Sequence, residues 1–196
     1  MDILVKLMTS HSLIAKVGEL TPLSNEAIHW LSLNKETFVF KKNEVLLSEK
    51  RICNYLYFVC KGVLGGFYHN QQKEVCNWLA AEGDFATSYY SFITRQASYE
   101  TIECYENAVV EAISHQHLMK MYQLFPETER AGRLILEDYY ARLEERLMAI
   151  QFKTAQQRYL QFVEKRSDLA YRAPLGRIAT YLGMKPETLS RIRSAG

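Results

Sequence analysis

No stretch of this 196-residue chain is apolar for long enough to cross a bilayer, and its most hydrophobic opening, MDILVKLMTSHSLIAKVGEL, is broken by Lys6 and Lys16. A membrane span needs about 20 consecutive apolar residues and a signal peptide needs an unbroken apolar centre, so a cytoplasmic protein without a membrane partner is expected. There is no CxxC pair: Cys53, Cys60, Cys76 and Cys104 are scattered singly among apolar residues. That spacing argues against zinc or iron–sulfur ligation and for small buried hydrophobes in a reducing compartment. No repeat or low-complexity linker interrupts the chain. Also missing are a glycine-rich phosphate loop, a nucleophile elbow and any histidine, acid and serine or paired-carboxylate arrangement with supporting context, so the sequence does not read as an enzyme.

Net charge is nearly absent too, at +2, but it is unevenly spread. From Gln151 onward nine Lys/Arg face three Asp/Glu, a local balance of +6, which leaves −4 for residues 1–150. A basic end on an acidic body is expected where only that end meets a polyanion. The 48% hydrophobic content is enough for real cores.

Periodicity divides the chain into three. A helix is expected from Ser24 or Asn25, with Leu23, Ile28 and Leu31 on one side. β-rich runs follow at Thr37–Phe40, Val45–Leu47, Tyr55–Cys60, Val63–Tyr68 and Glu74–Leu79, separated by turn signals at Lys42-Asn43, Lys61-Gly62 and His69-Asn70. A further β segment spans Tyr99–Ile113. Short strands at this spacing suggest an antiparallel roll or barrel. Ser114 is placed to cap a helix through Leu124, and Pro126 to open a long one. Within that long helix Leu136, Tyr140, Leu143, Leu147 and Ile150 alternate steps of four and three, the spacing of a coiled-coil seam, so a homodimer interface is expected there. His115 and His117 are read as solvated surface rather than as metal ligands, and no metal is expected.

The chain closes on PLGRIATYLGMKPETLSRIRSAG. Leu175, Ile178, Ala179 and Leu182 share one helical face, Gly183 suits a reversal, and Pro186 suits the first turn of a second helix carrying Leu189 and Ile192 inward. Facing out are Lys185, Glu187, Thr188, Ser190, Arg191 and Arg193, beside Pro186. This set mixes phosphate binders with groups able to read base edges, because arginine can bond guanine twice and glutamate can accept from cytosine. It reads as a DNA-binding helix-turn-helix; the alternative is a ligand-sensing or protein-interaction module whose terminal helices dock on another protein.

In this order the residues resemble a family. AEGDFATSYYSFITRQASYETIECYENAVVEAI is similar to the phosphate-binding cassette of the cyclic-nucleotide-binding fold. IATYLGMKPETLSRIR looks like the recognition motif of CRP/FNR-type bacterial transcription regulators, with wording similar to members associated with Bacteroidetes. The resemblance covers nearly the whole chain. It implies an α+β protein with a cyclic-nucleotide-binding-like jelly roll (residues 1–125), a dimerisation helix (126–152) and a helical helix-turn-helix domain (153–196). It also implies double-stranded DNA with a palindromic site as partner, and RNA polymerase as a further one. Many members carry a β-wing after the recognition helix; here the sequence runs to Gly196 and no wing contact is counted on.

The cassette departs from the family pattern. Gly83 matches its opening glycine, and Asp84 stands where a glutamate holds the ribose. At the close, Ser98-Tyr99-Glu100 stands where Arg-Ser/Thr-Ala would pair with the cyclic phosphate, and Arg95 is offset. A glutamate there repels an anion, so cyclic AMP is not the expected effector and the effector is left unknown. Either the pocket takes another ligand, touching Tyr89, Tyr90, Phe92, Ser98 and Tyr99, or its own side chains fill it and it is scaffold.

Overall fold

The structure is a computed structural model describing residues 11–70 and 73–194. The first ten residues, on which part of the membrane reading rests, lie outside the described residues. Two helices come first, α1 (Leu13–Leu20) and α2 (Asn25–Asn34). Ser24 caps α2, its hydroxyl accepting from the Ala27 amide at 3.2 Å and satisfying an otherwise orphaned donor. The same hydroxyl donates to Glu127 at 2.7 Å, tying α2 to the long helix.

Eight strands follow: β1 (Glu36–Phe40), β2 (Val45–Leu47), β3 (Tyr55–Lys61), β4 (Leu64–Asn70), β5 (Lys73–Ala80), β6 (Phe85–Ala86), β7 (Glu100–Cys104) and β8 (Ala108–Ser114). A short helix, α3 (Tyr89–Thr94), fills the insert before β7. All pairings are antiparallel, in two four-stranded sheets ordered β1-β8-β3-β6 and β2-β7-β4-β5. The expected segment Tyr99–Ile113 is two strands, because the chain reverses at Tyr105–Asn107, where Asn107 accepts from the Lys42 amide at 2.9 Å. Strand β4 runs through the turn signal at His69-Asn70, since its ladder with β5 continues to Asn70 opposite Lys73. A side chain at Gly66 would meet the Trp78 indole at 2.3 Å, so glycine there admits the ring.

Ser114 caps α4 (His115–Leu124), accepting from the His117 amide at 3.2 Å. The solvated reading of the two histidines is corrected: both are half-buried. His115 packs on Phe92 with ring centres 5.1 Å apart, and His117 meets Trp30 edge-on at 5.9 Å. Helix α4 lies against α2 and β8, and its first turn is covered by these two aromatic side chains.

Then come α5 (Glu127–Phe152), α6 (Ala155–Lys165), α7 (Ser167–Ala170), α8 (Leu175–Tyr181) and α9 (Pro186–Ser194). Helix α5 has 26 residues, a length of about 39 Å. Thr154 and Gln157 form a reciprocal capping box that restarts the chain as α6. Gly183, with φ +67°, makes the reversal between α8 and α9.

Two cores result. One fills the roll, around Phe58, Leu64, Ile102, Val110 and Ile113. The other joins Val63, Cys76, Leu79 and Tyr105 of the roll to Phe162, Leu169, Ile178 and Leu189 of the terminal helices. The terminal segment therefore shares its core with the roll. All four cysteines are buried and unbridged. Burial pushes the Cys60 thiol up to about 11 and those of Cys76 and Cys104 to about 12, which makes them poor nucleophiles.

Candidate functional site

Helix α9 stands on a buried Leu189, which packs with Ile178, Leu182 and Ile192. That contact decides which positions face out. Lys185, Pro186, Glu187, Ser190 and Arg191 are exposed, and Thr188 is half-buried at the edge. Glu187 and Arg191 are four residues apart and share a face. Arg193 is turned back: it donates to the Ala170 carbonyl at 3.2 Å and lies 5.8 Å from the Tyr171 ring.

The +6 balance of this end is partly neutralised inside the molecule. Arg166 pairs with Asp84 at 2.7 Å, and Arg172 bridges Glu82 and Glu106, each at 2.7 Å. Arg177 meets Glu74 at 2.7 Å and Glu103 at 3.5 Å, with its guanidinium 3.7 Å from the centre of the Phe67 ring. Three of the nine terminal cations thus hold the helices on the acidic roll. Lys185 and Arg191 remain as exposed cations at α9.

The seam of α5 is only partly accounted for by the chain itself. Leu136 and Leu143 turn one side to a cavity against the roll, yet each stays 41% exposed. Tyr140 is 62% exposed and Leu147 53%, and Ile150 and Met148 also stand open. An apolar stripe of this length facing water is a surface that a second helix would cover.

The cavity holds about 400 Å³ and lies between β6, the start of α3 and α5. Leu56, Phe85, Phe92, Ile135 and Tyr139 give it apolar walls. Gly83, Asp84 and Tyr89 line it as well, and Tyr89 stacks on Tyr139 with ring centres 5.3 Å apart. Tyr90, Ser98 and Tyr99 do not line it. Tyr90 and Tyr99 lie against each other on the outer surface at 4.8 Å. Ser98 is buried, its hydroxyl 2.8 Å from that of Ser88 and 3.0 Å from the Glu100 amide.

Glu100 is not aimed at a ligand either. Its carboxylate accepts from Trp78 Nε1 at 3.0 Å and Asn77 Nδ2 at 3.3 Å. Burial pushes its pKa up, against the lowering effect of those bonds and of Ser88. Arg95 turns away to the Cys53 carbonyl at 2.7 Å and Asn54 Oδ1 at 2.6 Å. Asp84 accepts from the Ala81 amide at 2.9 Å, from Arg166 and, at 3.2 Å, from Arg142. Sequence reasoning missed this latch, because Arg142 and Arg166 are brought to Asp84 only by folding. Among the described residues no cluster of His, Cys, Asp or Glu is arranged to hold a metal, and no helix is long and apolar enough to cross a membrane.

No family model matches the chain, and no curated protein does. Solved structures do. FixK2 from Bradyrhizobium japonicum superposes with a TM-score of 0.73 at 18% identity, over 82% of this chain and 83% of that one. The c-di-GMP-responsive global regulator CLP of Xanthomonas campestris gives 0.67 at 15% identity, over 88% and 91%. A CooA mutant from Carboxydothermus hydrogenoformans gives 0.67 at 16%, over 96% and 86%. The chain shares the fold of these three structures, with the antiparallel roll before the long helix and the helical unit after it.

The contact between Arg172 and Glu82 generates a pH prediction. Hydrogen bonds from Arg172, helped by the Gly62 amide, lower the Glu82 pKa from 4.5 to about 2. A depressed carboxylate contributes its full stabilisation above its unfolded pKa and loses it as pH falls toward the folded one. In urea unfolding, Glu82→Gln should therefore be less stable than wild type at neutral pH, with the gap narrowing as pH falls below about 5 and closing only near pH 2. A gap unchanged across that range would assign the loss to packing instead.

Proposed function

We propose that the chain is a homodimeric, DNA-binding transcription regulator of the CRP/FNR type, and not a catalyst. The observation that carries this reading is α9: an exposed face of base-reading and phosphate-binding groups on a helix held by Leu189, in a chain with the fold of such regulators. In use, α9 enters the major groove with Glu187 and Arg191 at base edges. Lys185, Thr188 and Arg193 position it on phosphates, Arg193 with the donors that the Ala170 carbonyl leaves free. The open seam of α5 pairs with its copy and sets two recognition helices about 34 Å apart, so that the site is a palindrome. RNA polymerase is the further partner that such a complex would engage.

The roll is the sensor. A cavity of about 400 Å³ supports a ligand-binding role over scaffold alone. At the close of the cassette the buried Glu100 replaces a cation, and Arg95 is committed elsewhere. Cyclic AMP and cyclic GMP accordingly lack their charge-assisted anchor. Calorimetry should find no micromolar binding of either; such binding would mean that Arg142 or Arg166 leaves Asp84 to serve as the anchor.

Light scattering should give a dimer for wild type and a monomer for Leu143→Glu at micromolar concentration. A monomeric wild type would refute the seam. Selection from a random DNA library should enrich a palindrome. Arg191→Ala should cost about 1 to 3 kcal/mol and relax one base pair per half-site, whereas Arg193→Ala should weaken all sequences alike and flatten the salt dependence. An unchanged motif for Arg191→Ala, or no motif with wild type, would favour terminal helices that dock on a protein.

A further inference from the structure

A second cleft, of about 440 Å³, opens between the C-terminal half of α5 and helices α6 and α8. Its charged lining is Arg142, Arg146, Arg158, Lys165 and Arg166 against a single acid, Glu145. Three of these cations have carboxylate partners. Arg142 and Arg166 share Asp84, and Lys165 pairs with Glu145. The other two have none among the described residues. Arg146 donates only to the carbonyls of Tyr181, Asn77 and Cys76, at 2.8, 3.0 and 3.3 Å. Arg158 donates to those of Lys153, Ile150 and Gly183, at 2.8, 3.3 and 3.3 Å, and its Nε–H is buried with no acceptor.

Carbonyls at the C-terminal ends of α5 and α8 offset some of this charge, since a helix end carries only about half a unit. Two half-buried guanidinium groups lining one cleft, one carried by α5 and one by α6, still lack a full counter-charge. A guanidinium fork can donate to two oxygens of one phosphate at once. The volume admits more than a simple ion, and the Phe162 and Tyr181 rings, 5.8 Å apart, add an apolar wall.

We propose that this cleft binds a small phosphate-bearing anion, with Arg146 and Arg158 as its counter-charges. The proposal does not depend on α9 reading DNA. It does bear on the sensor: Arg142 and Arg166 belong to both linings, and both hold Asp84, which lines the roll cavity. An anion that draws on either arginine loosens Asp84, so the two sites are linked through one carboxylate.

The test is calorimetry of the full chain with pyrophosphate at low ionic strength, against sodium chloride of matched ionic strength. Wild type should show saturable binding with one pyrophosphate per chain. Arg158→Gln should weaken it about tenfold and Lys165→Gln about threefold, while Glu145→Gln, which removes the one competing acid, should tighten it about threefold. Arg158 also ties three carbonyls, so Arg158→Gln can fail to fold; Lys165 and Glu145 are surface positions, and their variants then decide. Heat no different from the chloride control would overturn the proposal. So would wild-type affinity in both Lys165→Gln and Glu145→Gln, which would place the anion elsewhere on the basic end.

Discussion

Strand β5 is the edge of its sheet, paired on one side by β4 and left with free backbone groups on the other. An open edge must be covered or it recruits another chain. Here the cover is the terminal helical unit. The Cys76 amide donates to Thr180 Oγ1 of α8 at 3.1 Å, and the Cys76 and Asn77 carbonyls accept from Arg146 of α5. Arg146 also holds the Tyr181 carbonyl at the end of α8, with its guanidinium 4.5 Å from the centre of that residue's ring. One guanidinium thus fixes the roll, the long helix and the terminal helical unit to one another, and the second core closes behind it.

The charge pattern follows from this docking. Arg166, Arg172 and Arg177 find their acids on the roll, so much of the asymmetry between acidic body and basic end is the complementarity of a single internal interface. Desolvation offsets part of the attraction in partly buried pairs of this kind, and their geometry fixes which face of the terminal helices meets the roll. Salt therefore acts unevenly on these charges. It screens the exposed Lys185 and Arg191 strongly, and the half-buried internal pairs less.

Helix α5 is the element on which these regions converge. One stripe, with Ile135 and Tyr139, closes the roll cavity; Arg142 and Arg146 reach Asp84 and β5; Tyr140 and Leu147 face water. A rotation or shift of this helix would change all three contacts together. This gives a physical route by which an occupant of the roll could alter the placement of α9.

Much was legible in the sequence because it depends on neighbours along the chain. The caps at Ser24 and Ser114, the reversal at Gly183, most strands of the roll and the exposure of Lys185, Glu187, Ser190 and Arg191 follow from local spacing and from the torsions or side-chain acceptors of single residues, whereas the turning back of Arg193 onto Ala170 does not. The seam was legible as a stripe because a helix repeats every 3.6 residues. Contacts between distant segments were not legible. Nothing local says that Arg177 is neutralised by Glu74, that Asp84 meets Arg142 and Arg166, or that Glu100 turns inward to Trp78 while Tyr90 and Tyr99 turn out. Periodicity reports which face of an element is apolar; which charged groups meet across that face is decided only when sheet order and helix docking bring residues far apart in the chain within hydrogen-bonding distance.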